Sequence, residues 1–441
     1  MTDRGRAAQL VGLGRHHFQS IMALAIRGLS VLAGFALSFV IGHRFGPEAN
    51  GTYALITQSA MFLSVVAVGG LDLAVVRQFS SVIAKGQQLS AATLLRVVGL
   101  SMGFAAAIIA ALLGGGPATL HWAVGGILPA GGLFILCILL WSRAMTRIGS
   151  AVLRSQKRYI LGQSVEVLMI PTLALSVIAA GWVRGIDPIL WLTAAVSAAV
   201  AIGGLIASFA GTSRAAEAAS LPIRPIIRIA LPLWGVAIAL NIADWYGLVV
   251  VANVAGIYDA GLYRIAMQFG TSLAIVSMGL FSVFSPQISA AWANEDLVGV
   301  ARLGRTATRL SALFTLPPAL LMLVIAEPLL GLIGSEFIAA APMLRIIVIG
   351  QMIYTISGPA GLVLAMTGHE RVNFAITLTS TLSLILFAPP IAQVFGAAGV
   401  ATCVALFLVG RNVVSLYFVH RLCGINPLTG SVRPQEGKPL T

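Results

Sequence analysis

Seven ionisable residues stand inside long apolar stretches of the chain: Arg27, Arg264, Arg345 and Arg411 are basic, and Asp72, Glu166 and Asp244 are acidic. A charge held within hydrocarbon costs about 3 kcal/mol or more, so each is a functional candidate by default. A guanidinium presents a planar fork of donors that matches phosphate and carboxylate groups. Carboxylates receive cations or protons instead. Four cations against three anions tilts the set towards an anionic ligand.

Spacing adds to type. Arg27, Ser30, Gly34 and Ser38 follow steps of three and four, one helical stripe of small and polar residues carrying a single charge. Ala237, Asn241, Asp244 and Gly247 form a second such stripe. Both read as cavity lining, with tight helix packing as the alternative. Measured from the glycine turns that follow them, Arg27 and Asp244 differ in depth by about 10 Å. They are therefore separate elements: Arg27 an anion contact, Asp244 a protonation or cation site. Arg264 and Arg345 either reach cargo or extend to the interface, as long side chains do. Arg411 lies about 15 Å inside the last basic boundary and is harder to assign to the interface. Asp72, close to Arg77, and Glu166, close to the Arg154–Arg158 run, are read as ion-coupling groups or as partners in salt bridges.

These residues need a scaffold of membrane helices. Of 441 residues 58% are hydrophobic and 9% charged, and mean hydropathy is +0.97. A soluble chain carries about a quarter charged residues, so soluble enzyme folds are excluded. At about 20 apolar residues per crossing, twelve helices are expected, near 21–42, 53–76, 94–114, 121–141, 161–183, 188–210, 226–253, 260–286, 307–333, 341–366, 372–392 and 397–420. The runs are continuous rather than alternating, which favours helices over a lipid-facing barrel.

The net charge of +13 is read as topology rather than nucleic-acid binding. Most basic residues fall on alternate connections of one side, among them Arg77, Lys85 and Arg96; Arg143, Arg147, Arg154, Lys157 and Arg158; and Arg302, Arg305 and Arg309. The opposite side holds Arg44 and Arg184. By the positive-inside rule both termini are cytoplasmic, and the first apolar run reads as an uncleaved helix. Cys137, Cys403 and Cys423 are scattered, and the six histidines show no metal-ligand spacing. No Walker A sequence occurs, and Gly12-Leu13-Gly14 lacks a βαβ context. No enzyme activity, cofactor or metal is expected.

An internal repeat appears at an offset of 210. Gly46, Gly51, Tyr53 and Gln58 match Gly256, Gly261, Tyr263 and Gln268, and Leu63/Leu273, Val66/Val276 and Gly69/Gly279 extend the register. Six helices per half is an even number, so the repeat is parallel, with a pseudo-two-fold axis along the membrane normal. The expected organisation is an N-terminal six-helix bundle over 1–210, a cytoplasmic linker over 211–225, a C-terminal six-helix bundle over 226–420 and a cytoplasmic tail over 421–441. Gln58 and Gln268 are candidates to line the two faces of one cleft.

Arg27-Gly28, the turn from Phe45-Gly46-Pro47 to Gly51-x-Tyr53, Gly70-Leu71-Asp72 with Arg77, Ser285-Pro286 and Gly368-His369-Glu370-Arg371 resemble the polysaccharide-export flippases. These belong to a superfamily that also holds MATE-type multidrug exporters and peptidoglycan-precursor flippases. The resemblance implies a bacterial inner-membrane carrier of undecaprenyl-diphosphate-linked oligosaccharide, an anionic lipid-linked cargo, moved by alternating access for O-antigen, capsule or exopolysaccharide synthesis. Arg27, Arg264, Arg345, Arg411, Gln58 and Gln268 become candidate substrate contacts, and Asp244, Asp72 and Glu166 candidate coupling sites. Exchange of H+ or Na+ at Asp244, or sugar polymerisation outside, is left open as the drive. A polysaccharide polymerase and glycosyltransferases are the partner proteins this implies, alongside membrane lipid. A MATE-like cation-coupled drug exporter centred on Asp244 is the alternative.

Overall fold

The computed structural model describes residues 3–85, 87–115, 131–213 and 222–432. Parts of the expected fourth helix, of the linker and of the tail lie outside the described residues. Those described are almost all helical, because a helix satisfies its own backbone groups where no water is at hand. In order they are α1 (Asp3–Val68), α2 (Leu71–Ala84), α3 (Ala91–Gly114), α4 (Gly132–Ser155), α5 (Tyr159–Ala179), α6 (Ile186–Phe209) and α7 (Ile223–Val254). There follow α8 (Ile257–Ser272), α9 (Ala274–Ala293), α10 (Leu297–Val324), α11 (Ala326–Gly331), α12 (Ala341–Ile356), α13 (Ala360–Met366) and α14 (Glu370–Phe418). A small antiparallel ribbon, β1 (Ile425–Asn426) with β2 (Ser431–Val432), closes the chain. Among the described residues nine helices are long and apolar enough to cross a bilayer, or ten if the bent pair Ile257–Ser272 and Ser277–Ala293 is one span.

Two of these helices exceed one crossing, and each is broken by a glycine. Gly46 interrupts α1 at φ 79° and Gly396 interrupts α14 at φ 59°. A side chain there would be strained, so the turn requires glycine. Gly256, the repeat partner of Gly46, has φ 97° and ψ 170° at the head of α8, and Gly185 has φ 96° and ψ 166° at the head of α6. Gly185 and Gly396, 211 residues apart and so one residue out of the repeat register, also take positive φ at helix breaks.

The described chain forms two compact units: Met1–Phe45 with Thr52–Asn241, and Gly46–Gly51 with Ile242–Thr441. In the first, α4 packs along α6, and Gly149 sets its backbone directly against that of Gly204. Small residues at the crossing allow this approach. Leu139, Leu140, Ile148 and Val152 fill the interior. Helix α4 also departs from expectation. It starts well after residue 121 and runs on through Arg143, Arg147 and Arg154, which the charge pattern had placed in a cytoplasmic connection.

In the second unit, α12 packs on α14 and α9 on α10. An apolar cluster around Phe284, Ile288, Val363, Leu364 and Val419 takes in Ile425 of the ribbon. Repeat-related glycines meet here. A methyl on Gly51 would strike the carbonyl oxygen of Ile257 and the nitrogen of Gly261, and one on Gly261 would strike the carbonyl of Pro47 and the nitrogen of Gly51. Asn50 Nδ2 donates to the Gly261 carbonyl at 3.2 Å across the same contact.

Gly261→Ala is expected to destabilise the protein by about 1–3 kcal/mol through overpacking. Gly34→Ala, where a methyl meets no atom within 4 Å, is the control and changes stability little. Thermal melting of the two variants in detergent separates them; equal melting temperatures would count against the close approach.

Candidate functional site

Each unit carries its own set of charged groups. In the first, Arg143, Arg147 and Arg154 follow steps of four and seven along α4 and share one face. Arg147 reaches Asp72 at the start of α2, with Nη2 3.0 Å and Nε 3.2 Å from Oδ2. The Asp72 side chain is 8% exposed and that of Arg147 21%, so this pair is largely removed from solvent. Arg154 reaches Glu166 Oε2 at 3.2 Å, and Ser150 Oγ donates to the same oxygen at 2.7 Å. Glu166 is set by a π-helical turn over Ser164–Leu168 that aims it at α4. Of the three acidic residues singled out by sequence, two are therefore neutralised by guanidinium partners.

Arg143, one turn before Arg147, has no ion-pair partner among the described residues. It is half-buried, and the charge of Arg147 and the ring of Tyr53 are its electrostatic neighbours. Sequence reasoning missed it because span four was ended at residue 141. The regular spacing of the three arginines on one helical face was the signal available.

Arg27 is solvent-exposed on α1 and likewise has no ion-pair partner among the described residues. Ser30 Oγ donates to the Arg27 backbone carbonyl at 2.8 Å. Atoms built as methyls on Gly28 and Gly34 meet nothing within 4 Å. The stripe thus borders open space at Gly34, whereas Ser38 further along it is buried.

The second unit brings together residues that sequence spacing kept apart. Asp244 on α7 lies within electrostatic range of Arg264 on α8 and Arg411 on α14. Its side chain is exposed, and Asn241, one turn earlier, donates to the Ala237 carbonyl at 2.8 Å. Gly247, one turn later, makes room for the Tyr263 hydroxyl, which would lie 2.6 Å from a methyl there. Tyr263 is 1% exposed, and its hydroxyl has no hydrogen-bond partner among the described residues. Arg411 stacks its guanidinium over the Phe407 ring at 5.7 Å. The cluster thus holds one carboxylate, two guanidiniums and a buried phenol, an arrangement suited to taking either a cation at Asp244 or an anion at the arginines.

Arg345 stands elsewhere. Its Nη2 pairs with Glu327 Oε1 at 2.9 Å, with side chains 40% and 54% exposed, so its charge is answered near a helix end. Gln58 is half-buried in the first unit. Gln268 is half-buried in the second, and its Oε1 lacks a hydrogen-bond partner among the described residues. No group of three His, Cys, Asp or Glu side chains among the described residues is placed to hold a metal ion.

No family model matches the chain, and no curated protein matches it. Solved structures do. An inward-facing multidrug-resistance MATE family transporter of the MOP superfamily aligns with a TM-score of 0.71 at 13% identity, over 92% of this chain and 98% of that one. The lipid II flippase MurJ in an inward closed conformation aligns with a TM-score of 0.71 at 14% identity, over 90% and 87%. A MOP-superfamily transporter from Pyrococcus furiosus, described as having a binding pocket of reverse polarity, gives 0.60 at 14%, over 92% and 94%. At such identities the likeness is one of fold. The chain has the all-helical membrane fold of MOP-superfamily transporters and crosses the bilayer many times.

Asp72→Asn is expected to destabilise the first unit by about 3–5 kcal/mol, because it leaves the Arg147 charge buried and unpaired. The double variant Asp72→Asn/Arg147→Gln should recover most of that loss. Melting temperatures of the two single variants and the double variant in detergent form the cycle, and additive losses would contradict a coupled pair.

Proposed function

We propose that this protein is a flippase that moves undecaprenyl-diphosphate-linked oligosaccharide units across the bacterial inner membrane for surface polysaccharide synthesis. The observation that carries this reading is the charge balance inside the spans. Asp72 and Glu166 are each answered by an arginine. Arg27, Arg143 and Arg411 have no carboxylate within ion-pair distance among the described residues. Cations kept unpaired in a membrane domain fit a cargo that brings its own negative charge, and a diphosphate does so.

In this reading each glycine-broken helix is two crossings and the bent α8–α9 pair is one, which makes twelve. They form two six-helix bundles, residues 1–210 and 226–420, joined by the cytoplasmic segment 211–225 and followed by the tail 421–441. Arg302, Arg305, Arg309 and Arg371 still mark the cytoplasmic side after Arg143, Arg147 and Arg154 are assigned to a span. The headgroup enters from the cytoplasm and most of the prenyl chain stays in lipid. Arginines, Arg27 among them, offset the cost of drawing the diphosphate out of water. Gln58 and Gln268 offer amides to the sugars. Exchange of H+ or Na+ at Asp244 resets the inward state, and a polysaccharide polymerase and glycosyltransferases act before and after transfer.

A MATE-like cation-coupled drug exporter is the second reading. It is favoured by the exposed carboxylate of Asp244 beside an unpartnered Tyr263 hydroxyl, a pair suited to a cation. Drug resistance on overexpression, lost in Asp244→Asn, would select it.

Arg27→Ala and Arg143→Gln should each cut surface polysaccharide by about tenfold or more, the loss of one charged hydrogen-bond partner, with the protein still present in the membrane at wild-type level. Quantified polysaccharide in a complemented deletion strain measures this. Normal polysaccharide in the deletion strain itself would overturn the flippase reading.

A further inference from the structure

The two crossings of α14 enclose a groove with a cavity of about 410 Å³. Its lining runs over Thr379–Ile391 on the first crossing and Cys403–Val414 on the second, about 17 Å along the helix axes. That is more than half of a hydrocarbon core about 30 Å thick. The two crossings run in opposite directions, so residues late in one face residues early in the other.

The lining is sorted by depth. One end carries Arg411 with Thr379, Ser380 and Ser383. The other carries Leu384, Phe387, Ile391 and Leu406 with Cys403 and is mostly apolar. Ser383 donates to the Thr379 carbonyl at 2.9 Å, which keeps hydroxyl oxygens at the polar end. Phe407 holds the Arg411 guanidinium from one side. The groove is therefore amphipathic along its length, with a cation at one end and room for a hydrocarbon chain at the other.

We infer that this groove is the seat of the prenyl diphosphate part of the cargo as it leaves the cytoplasmic leaflet, with the phosphate on Arg411 and the first isoprenyl units along Leu384, Phe387, Ile391 and Leu406. The inference rests on the flippase reading and on the cytoplasmic placement of the chain ends. Depth selects the occupant. Arg411 is ten residues from Arg421 and fifteen from the Gly396 turn, so it lies about 15 Å from one boundary and 22 Å from the other. The headgroup of a resident phospholipid stays outside the hydrocarbon and does not reach that level. A phosphate there belongs to a lipid being carried across. The polarity of the groove also fits loading from the cytoplasmic side, because the polar end is the one nearer Arg421 and the apolar end runs on from the membrane centre towards the Gly396 turn.

The test uses the purified full chain in nanodiscs of zwitterionic lipid, with geranylgeranyl diphosphate as the probe. Wild-type protein should bind it, and Arg411→Gln should weaken binding by about tenfold or more. Arg411→Lys should retain part of the affinity. Leu406→Trp, which fills the apolar end without removing charge or crowding Arg411, should weaken geranylgeranyl diphosphate while leaving inorganic diphosphate unaffected. Elution as a monodisperse species checks that each variant is folded. Wild-type affinity in both Arg411→Gln and Leu406→Trp would overturn the groove, as would displacement of the probe by phosphatidylglycerol at equal concentration. Loss of the flippase reading is read separately: a deletion strain with normal polysaccharide removes it whatever the binding shows. A strain that needs the protein, with variants that bind and export normally, removes the groove alone.

Discussion

The price of an unanswered charge in hydrocarbon is the constraint on which the rest of this structure depends. The chain meets it in two ways. In the first unit Asp72–Arg147 and Glu166–Arg154 cancel charge locally and tie α2 and α5 to α4. Breaking such a pair leaves a buried ion and costs far more than the pair contributes when intact. These contacts therefore fix which helices stay together. The other way is to leave a charge beside space. Arg27 is exposed on α1, and Arg411 lies in the lining of a groove; neither has an ion-pair partner among the described residues.

That division separates scaffold from site more sharply than residue type does. Seven charges looked alike as candidates. In the structure Asp72 and Glu166 lie in ion pairs with Arg147 and Arg154, and Arg345 lies against Glu327 at a half-exposed end. Arg143 has no ion-pair partner among the described residues, whereas Arg147 and Arg154 on the same helix are paired. The remaining groups are mostly cationic, and that excess is what a carrier of anionic lipid would retain under the cost of desolvation.

The helical membrane character was legible because a crossing demands a long apolar run and little else. The repeat was legible because turn glycines and the Tyr and Gln that follow them recur in one register. The limits of helix α4 were not. Three arginines lower the hydropathy of its second half to that of a loop, and what restores it to the interior is Asp72, 75 residues away in sequence. The cluster of Asp244, Arg264 and Arg411 was hidden for the same reason: its members come from three helices, and a stripe on one helix says nothing of what the neighbours bring. Pattern along one element is local, whereas charge compensation is tertiary.

The repeat also shows where the two halves were free to differ. At the offset of 210, Gly46 answers Gly256, Gly51 answers Gly261 and Tyr53 answers Tyr263. These positions set turns and close backbone contacts, and Gly51 against Gly261 leaves no room for a side chain on either. The charged positions obey no such rule. Arg27 faces Ala237 in the register, Asp244 faces Gly34, Arg264 faces Ala54, Arg143 faces Ile353 and Arg411 faces Ala201. A backbone contact shared by both copies holds both to glycine, because a methyl on either partner opens it. A charge beside a cavity has no such partner in the other copy, so each half could gain or lose it alone. The sequence repeat therefore falls on turn and contact positions and not on charges: one unit has a carboxylate in electrostatic range of two guanidiniums, and the other a line of arginines of which Asp72 and Glu166 answer two.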